Sequence, residues 1–371
     1  MTLAPFKLEE YLGKYEFSAP YLLCCSDPES FSMQEILSLC DAQDKKIWDE
    51  LKLGYTEIPG LPILREQIAK SLYPSLTYNN IFCFAGAEEG IFCSLYSLCQ
   101  PEDHVIILAP CYQSLMELPK LKGSSITSVM LREENDWRID IRAIEKAISP
   151  NTKWLIINFP HNPTGQVITK EELEALVKLC DKHGIWIFAD EVFRLLGSPN
   201  EPWAPNVAEI YPKSISLGVM SKAYGLAGLR VGWIASQDKE ILKKIEHFKH
   251  YTTICNSAPA EILSLIALKN KDKILARNNE IVVKNLTLLD EFMDKYQDLF
   301  EWVRPQGGCI GYVKYKSDEP ISSMADRLVK AKGVLLMPAN IYDHDSNHFR
   351  IGFGRKNMEE SLLLFKEFLN I

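Results

Sequence analysis

No apolar stretch of this 371-residue chain approaches the length needed to cross a bilayer, and no basic patch precedes an apolar core at its start. Neither a membrane span nor a secretory leader is expected. Basic residues are in deficit, 41 Lys and Arg against 49 Asp and Glu, for a formal charge of −8. A general binder of nucleic acid or of anionic membranes needs a basic face, so both classes are set aside. Internal repeats and low-complexity tracts are missing, which excludes solenoids and long flexible linkers. The ten cysteines contain no Cys-x-x-Cys pair and are scattered through apolar runs, as at Cys83, Cys93, Cys99 and Cys180. They read as buried, reduced thiols of a cytoplasmic protein. His344 and His348 have a spacing that could suit a metal, but no third ligand is evident, and His161 reads as a bystander; no metal is expected. The triplet Asn285-Leu-Thr287 is read as a chance match to a glycosylation acceptor.

An apolar content of 47% and a length beyond one ordinary domain point to a folded protein of two domains. Between Ile81 and Ala235, short β-branched runs alternate with helical patterns: 81–85, 104–109, 154–159, 185–190, 214–219 and 231–235. Their near-continuous apolarity implies strands covered on both faces. The segment Thr169 to His183 opens with a capping threonine and an acidic pair and closes at Gly184, as a covering helix should. This order predicts an α/β fold: a large domain with a mostly parallel, helix-covered sheet. Beyond Ser236 the pattern changes to long helices, notably about 272–296, short strands near 308–315 and a last helix over 357–369, which predicts a smaller α+β domain. The expected division is an arm over 1–45 that joins the small domain, a large domain over 46–250 and a small one over 251–371.

The chemistry centres on Lys222, which lies in Ser216-Leu-Gly-Val-Met-Ser-Lys222-Ala-Tyr-Gly-Leu-Ala-Gly-Leu-Arg230. A lysine amine attacks carbonyls when burial or a neighbouring cation lowers its pKa, and pyridoxal phosphate is the usual aldehyde. The stretch Ala85-Gly-Ala-Glu-Glu-Gly90 ends one strand and opens a helix, where free N–H groups favour an anion. Asp190 ends an apolar strand; it either caps the next element or meets a positive partner. Arg350 alternates with apolar residues in Phe349-Arg-Ile-Gly-Phe-Gly-Arg355, so an inward guanidinium there needs an anion.

Together these segments resemble the class I and II, fold type I, pyridoxal-phosphate-dependent aminotransferases. The resemblance implies that Lys222 forms a Schiff base with the cofactor and then acts as general base, with Asp190 at the pyridinium nitrogen. It implies a phosphate site of Gly86, Ala87, Glu88, Ser221 and Arg230, stacking by Tyr112, and a hydrogen bond from Asn162 of Asn162-Pro-Thr-Gly165 to the phenolic oxygen. Arg350, with Asn162, would hold the substrate α-carboxylate. Tyr55 would reach the cofactor of a second subunit, which makes the protein a homodimer with composite sites; Tyr112 and Tyr55 are otherwise read as core packing. The implied activity moves an amino group between an L-amino acid and a 2-oxo acid. The stretches Ser26-Asp-Pro-Glu29 and Leu53-Gly-Tyr-Thr-Glu57 also resemble a bacterial subgroup that includes capreomycidine synthase, so a β-eliminating or β-replacing lyase, or a cyclase, is an alternative. A non-catalytic binding protein of the same fold is the third reading, and retention of Lys222 disfavours it.

The chain departs from the family pattern at three places. Phe159 stands where asparagine is commoner, Val219 where a phosphate-binding serine is common, and Phe193 where a tyrosine donates to the phenolic oxygen. Phenylalanine has no donor, so the Lys222 Schiff base is expected to titrate at higher pH than in tyrosine-bearing relatives. Phe193→Tyr should lower that pKa in a spectrophotometric titration; an unchanged or raised value overturns the expectation.

Overall fold

The computed structural model describes residues 2–197 and 199–370. Seven strands form the first sheet: β1 (Ile81–Phe84), β2 (His104–Ala109), β3 (Ser125–Met130), β4 (Thr152–Asn158), β5 (Trp186–Asp190), β6 (Ser214–Val219) and β7 (Gly232–Ala235). Their order is β1-β7-β6-β5-β4-β2-β3. The four pairings among β3, β2, β4, β5 and β6 are parallel, and β7 is antiparallel to both of its neighbours. Strands β1, β2, β5, β6 and β7 match the anticipated runs closely because both faces are covered and nearly every residue is apolar. The edge strand β3, Ser-Ile-Thr-Ser-Val-Met, was not anticipated: it is largely exposed, so it lacks that apolar continuity.

Because β1 and β6 both run antiparallel to β7, the carboxyl ends of β1, β2, β4, β5 and β6 lie on one edge, together with the start of β7. In an open α/β sheet that edge is where ligands bind. The register carries this to single residues, since Asn158 pairs with Asp190 and Asp190 with Leu217. Helix Lys170–His183 has the expected ends: Thr169 and Glu172 form a capping box, and Gly184 closes the helix at φ 68°.

The second sheet is antiparallel in the order β10-β11-β9-β8, from β8 (Phe300–Trp302), β9 (Ile310–Tyr315), β10 (Met337–Pro338) and β11 (His348–Gly352). Helices Lys271–Lys295, Ile321–Lys332 and Met358–Leu369 pack with it. The amino-terminal segment binds to this part of the molecule. Tyr21 bridges Val334, Gly352 N–H donates to Leu23 O at 3.0 Å, and Leu8 and Cys24 pack with Leu335, Met337 and Tyr342. No helix of the described residues is long and apolar enough to cross a membrane. Eight of the ten cysteines are buried as expected, whereas Cys40 and Cys255 are half-buried. Asn285 spends its amide inside the fold, donating to Phe353 O and Arg355 O at 2.9 and 2.7 Å.

Lys249 is fully buried, and its ammonium donates to Ile58 O, Cys83 O and Asn256 Oδ1 at 2.9, 2.8 and 3.1 Å. Burial pushes its pKa down, but three acceptors inside the protein hold the charged form. The ammonium thereby ties the loop before Gly60 to β1 and to the loop around Asn256. Lys249→Met keeps the stem volume and strands three acceptors, so it should cost roughly 1–3 kcal/mol, read as a lowered thermal midpoint. An unchanged midpoint would show that water replaces the ammonium.

Candidate active site

The carboxyl edge of the first sheet, β11 and the amino-terminal arm enclose a cavity of ≈ 370 Å³. That volume suits a cofactor-sized ligand. Of the residues predicted from the sequence, Ala87, Glu88, Tyr112, Asn162, Asp190, Phe193, Ser221, Lys222, Arg230 and Arg350 all line it. Gly86 stands directly behind the wall. Tyr55 is not brought to this cavity: it is 92% exposed on its own chain.

At one end, β1 gives way to helix Ala87–Leu98 through Gly86 at φ 89°. A Cβ at Gly86 would stand 2.4 Å from Arg230 Nη2, so only glycine permits both this turn and the approach of the guanidinium. Arg230 precedes β7, itself at φ 51°, and has no carboxylate partner among the described residues; its Nη1 donates to Ala227 O at 3.3 Å. An unpaired guanidinium beside the free N–H groups of a helix start is a site for an anion. Glu88 contributes its backbone there, while its side chain turns away to accept from Ser114 Oγ at 3.1 Å. Burial pushes the Glu88 carboxyl up to about 7.

In the middle, Asp190 is 4% exposed and accepts one hydrogen bond, from Val192 N–H at 3.2 Å. Burial raises its pKa to about 6 against the opposing pull of the Val192 N–H and of Lys222. A nearly buried carboxylate with a single donor, open to a cavity, calls for a positive ligand group. Asn158 fixes the two loops around it, donating to Asp190 O at 3.0 Å and accepting from Asn162 N–H at 2.8 Å.

Lys222 Nζ donates to Ser26 Oγ at 2.8 Å and lies 5.5 Å from the ring centroid of Phe193. Beside it, Arg350 is 1% exposed. Its Nε and Nη2 donate to Cys24 O at 3.0 and 2.8 Å, and its Nη1 donates to the Tyr342 hydroxyl at 2.6 Å and to Asn162 Oδ1 at 3.2 Å. The Tyr342 hydroxyl donates to Asn162 Oδ1 at 3.0 Å. Tyr112 forms the far wall, its ring centroid 5.3 Å from that of Phe6. Burial and the neighbouring carboxylates of Glu88 and Glu9 raise its pKa.

Sequence reasoning missed Asn158, Tyr342, Ser26 and the arm carboxylates Glu9, Glu16 and Asp27. The arm offered one signal, the four-residue spacing of Leu8, Leu12 and Glu16, which sets them on one helical stripe. Arg355 pairs with Asp27 Oδ2 at 2.8 Å. His161 lies off the cavity, with Nδ1 2.8 Å from Thr164 Oγ1. His344 and His348 stack against Tyr312, and His348 Nε2 is 3.3 Å from Glu133 Oε2.

A family model described as Aminotransferase class I and II matches residues 42–363. The chain is 25% identical to capreomycidine synthase of Streptomyces vinaceus over 364 residues, covering 97% of this chain and 92% of that protein. It is 29% identical to aspartate aminotransferase of Geobacillus stearothermophilus over 294 residues, covering 77% and 73%. Among solved structures it is similar to a PLP-dependent aminotransferase from Streptococcus suis 89-1591, with a TM-score of 0.94 and 31% identity over 100% of this chain and 98% of that one. The residues present fit pyridoxal phosphate: an anion cradle at Gly86 and Arg230, a singly bonded buried carboxylate at Asp190 and an amine at Lys222 face one cavity.

The Asp190 environment has a measurable consequence for the cofactor-free protein. A carboxyl whose folded pKa is about 6 against an ordinary 3.8 contributes stability below 3.8, which is lost as pH rises through about 6. Asp190→Asn should therefore stabilise the cofactor-free protein at pH 8 by on the order of 2–3 kcal/mol, a gain that shrinks towards pH 4. Thermal unfolding across that range checks it, and equal midpoints at pH 8 would count against an electrostatically strained Asp190.

Proposed function

We propose a function from one premise: the chain belongs to the class I and II aminotransferases, which are pyridoxal-phosphate-dependent enzymes. On this reading the protein moves an amino group between an L-amino acid and a 2-oxo acid. The observation that carries it is the convergence of Lys222, Asp190 and Arg350 on one cavity next to the anion cradle of Gly86 and Arg230. The proposed division into an arm (1–45), a large domain (46–250) and a small domain (251–371) sets this cavity among all three.

When bound, pyridoxal phosphate supplies an aldehyde for amine exchange and a ring that delocalises the charge left when the substrate Cα loses its proton. In our reading Ala87 and Glu88 N–H, Ser221 and Arg230 hold the phosphate, with no hydroxyl at Val219 to help. Tyr112, on the cavity wall, would cover one face of the ring. Asp190 would keep a proton on the ring nitrogen, a task its near-complete burial favours because the carboxylate gains most from a cation in a low dielectric. Asn162 orients the phenolic oxygen and, through its Oδ1, Arg350. Arg350 in turn fixes the substrate carboxylate, so that the Cα proton faces Lys222. Lys222 Nζ would take that proton as general base, with the Ser26 hydroxyl placed to accept a hydrogen bond from Nζ.

A homodimer is part of the proposal. It is supported by Leu53, Tyr55 and Tyr251, which are 85%, 92% and 78% exposed on loops joined by the Thr56 Oγ1 to Asn256 O hydrogen bond, an apolar surface suited to a second copy. A cytoplasmic location accords with ten unpaired cysteines. A second reading, lyase or cyclase chemistry from the same Cα deprotonation, is supported by the 97% coverage of this chain in its similarity to capreomycidine synthase.

Mixing the holoenzyme with one amino acid for a single turnover should yield pyridoxamine phosphate and a 2-oxo acid. Lys222→Ala should slow that turnover by at least about 10²-fold. Pyruvate or a cyclised product without pyridoxamine phosphate would replace this reading with the second one.

A further inference from the structure

The arm helix Lys7–Tyr15 presents Leu8, Glu9, Leu12 and, one residue past its end, Glu16 to the cavity. A helix face turned to an interior is normally apolar, so the carboxylates there need a reason. Glu16 is half-buried and forms neither a hydrogen bond through its carboxylate nor an ion pair among the described residues. Burial and the charges of Asp27 and Glu9 push its pKa up, which outweighs the opposing pull of Arg355 and Lys222. Glu9 Oε1 accepts from the Tyr112 hydroxyl at 3.5 Å, so it is Glu16 whose negative charge stands without a partner among the described residues.

The other charges of the cavity have partners once the proposed function is assumed, and the inference rests on that reading. Arg350 takes the α-carboxylate, Arg230 the phosphate and Lys222 the exchanging amine, so among the described residues no lining cation is left for a second substrate carboxylate. Asp190 faces the ring nitrogen, Asp27 is paired with Arg355 at 2.8 Å, and Glu88 is held by Ser114. Glu16, with Glu9 beside it, is what remains for the substrate side chain. We infer that the cavity selects an amino acid whose side chain carries a cation, an ammonium or a guanidinium, and that Glu16 is the residue that determines this specificity. The arm thus supplies selectivity from outside the segment that the family model matches, residues 42–363.

The test titrates the holoenzyme with L-arginine, its neutral isostere L-citrulline, L-lysine, L-leucine and L-glutamate, reading dissociation constants by calorimetry and amine exchange by cofactor absorbance. Arginine or lysine should bind at least about 10-fold more tightly than citrulline, leucine or glutamate, and the preference should weaken with added salt. Glu16→Gln should erase most of the arginine-to-citrulline ratio while leaving citrulline binding nearly unchanged, and Glu16→Asp should restore part of it. Should Glu16→Gln fail to fold, seen as loss of bound cofactor absorbance, the ratio in the unaltered protein decides. Equal or tighter binding of citrulline or glutamate, or an unaltered ratio in Glu16→Gln, overturns the inference alone. If no amino acid changes the cofactor absorbance, the amine-exchange reading falls and the inference with it.

Discussion

A guanidinium that is 1% exposed has to find its hydrogen-bond acceptors inside the protein, and Arg350 finds them on three separate parts of the chain. Cys24 O comes from the arm, Asn162 Oδ1 from the loop after β4, and the Tyr342 hydroxyl from the turn before β11. A buried charge that loses a partner costs several kcal/mol, so these three segments are held to one arrangement. The cavity is the space they enclose. Arg350 is thus the bolt that joins arm, first sheet and second sheet around the cavity, and in the proposed function it also meets the substrate carboxylate.

The same cavity holds charges that are not balanced against one another. Asp190 has a single donor, Arg230 lacks a carboxylate partner, and Glu16 stands among other carboxylates. Asp190 raises the free energy of the empty protein, because burial penalises an ion that no counter-ion meets, whereas Arg230 is exposed and Glu16 half-buried. A ligand with a phosphate, a protonated ring and a cationic side chain would satisfy all three, and binding to the folded state alone would then stabilise it. Stability and recognition here draw on the same few groups. That coupling explains why burial pushes the Asp190 and Glu88 carboxyls up.

Much of the frame was legible because its causes are short-range. Strands β2, β4, β5 and β6 announced themselves as apolar runs, and helix Lys170–His183 by Thr169, Glu172 and Gly184, all within one local window. Positions at strand ends, Asp190 and the loop holding Asn162, followed from those strands. Gly86 was legible as part of a glycine-rich turn, though the reason it cannot be alanine, Arg230 lying across it, was not. The edge strand β3 escaped notice because exposure removes the apolar pattern that marks its neighbours.

The amino-acid sequence by itself determined the α/β frame, the candidate lysine and the order of the candidate site residues, since periodicity, caps and strand-end positions act over a few residues. It left the contents of the cavity wall open. Ser26 meets Lys222 across 196 residues and Cys24 meets Arg350 across 326, separations at which no local pattern survives. Folding alone brings the arm's carboxylates opposite Lys222, and charge acts through distance in space and local dielectric, neither of which is written along the chain.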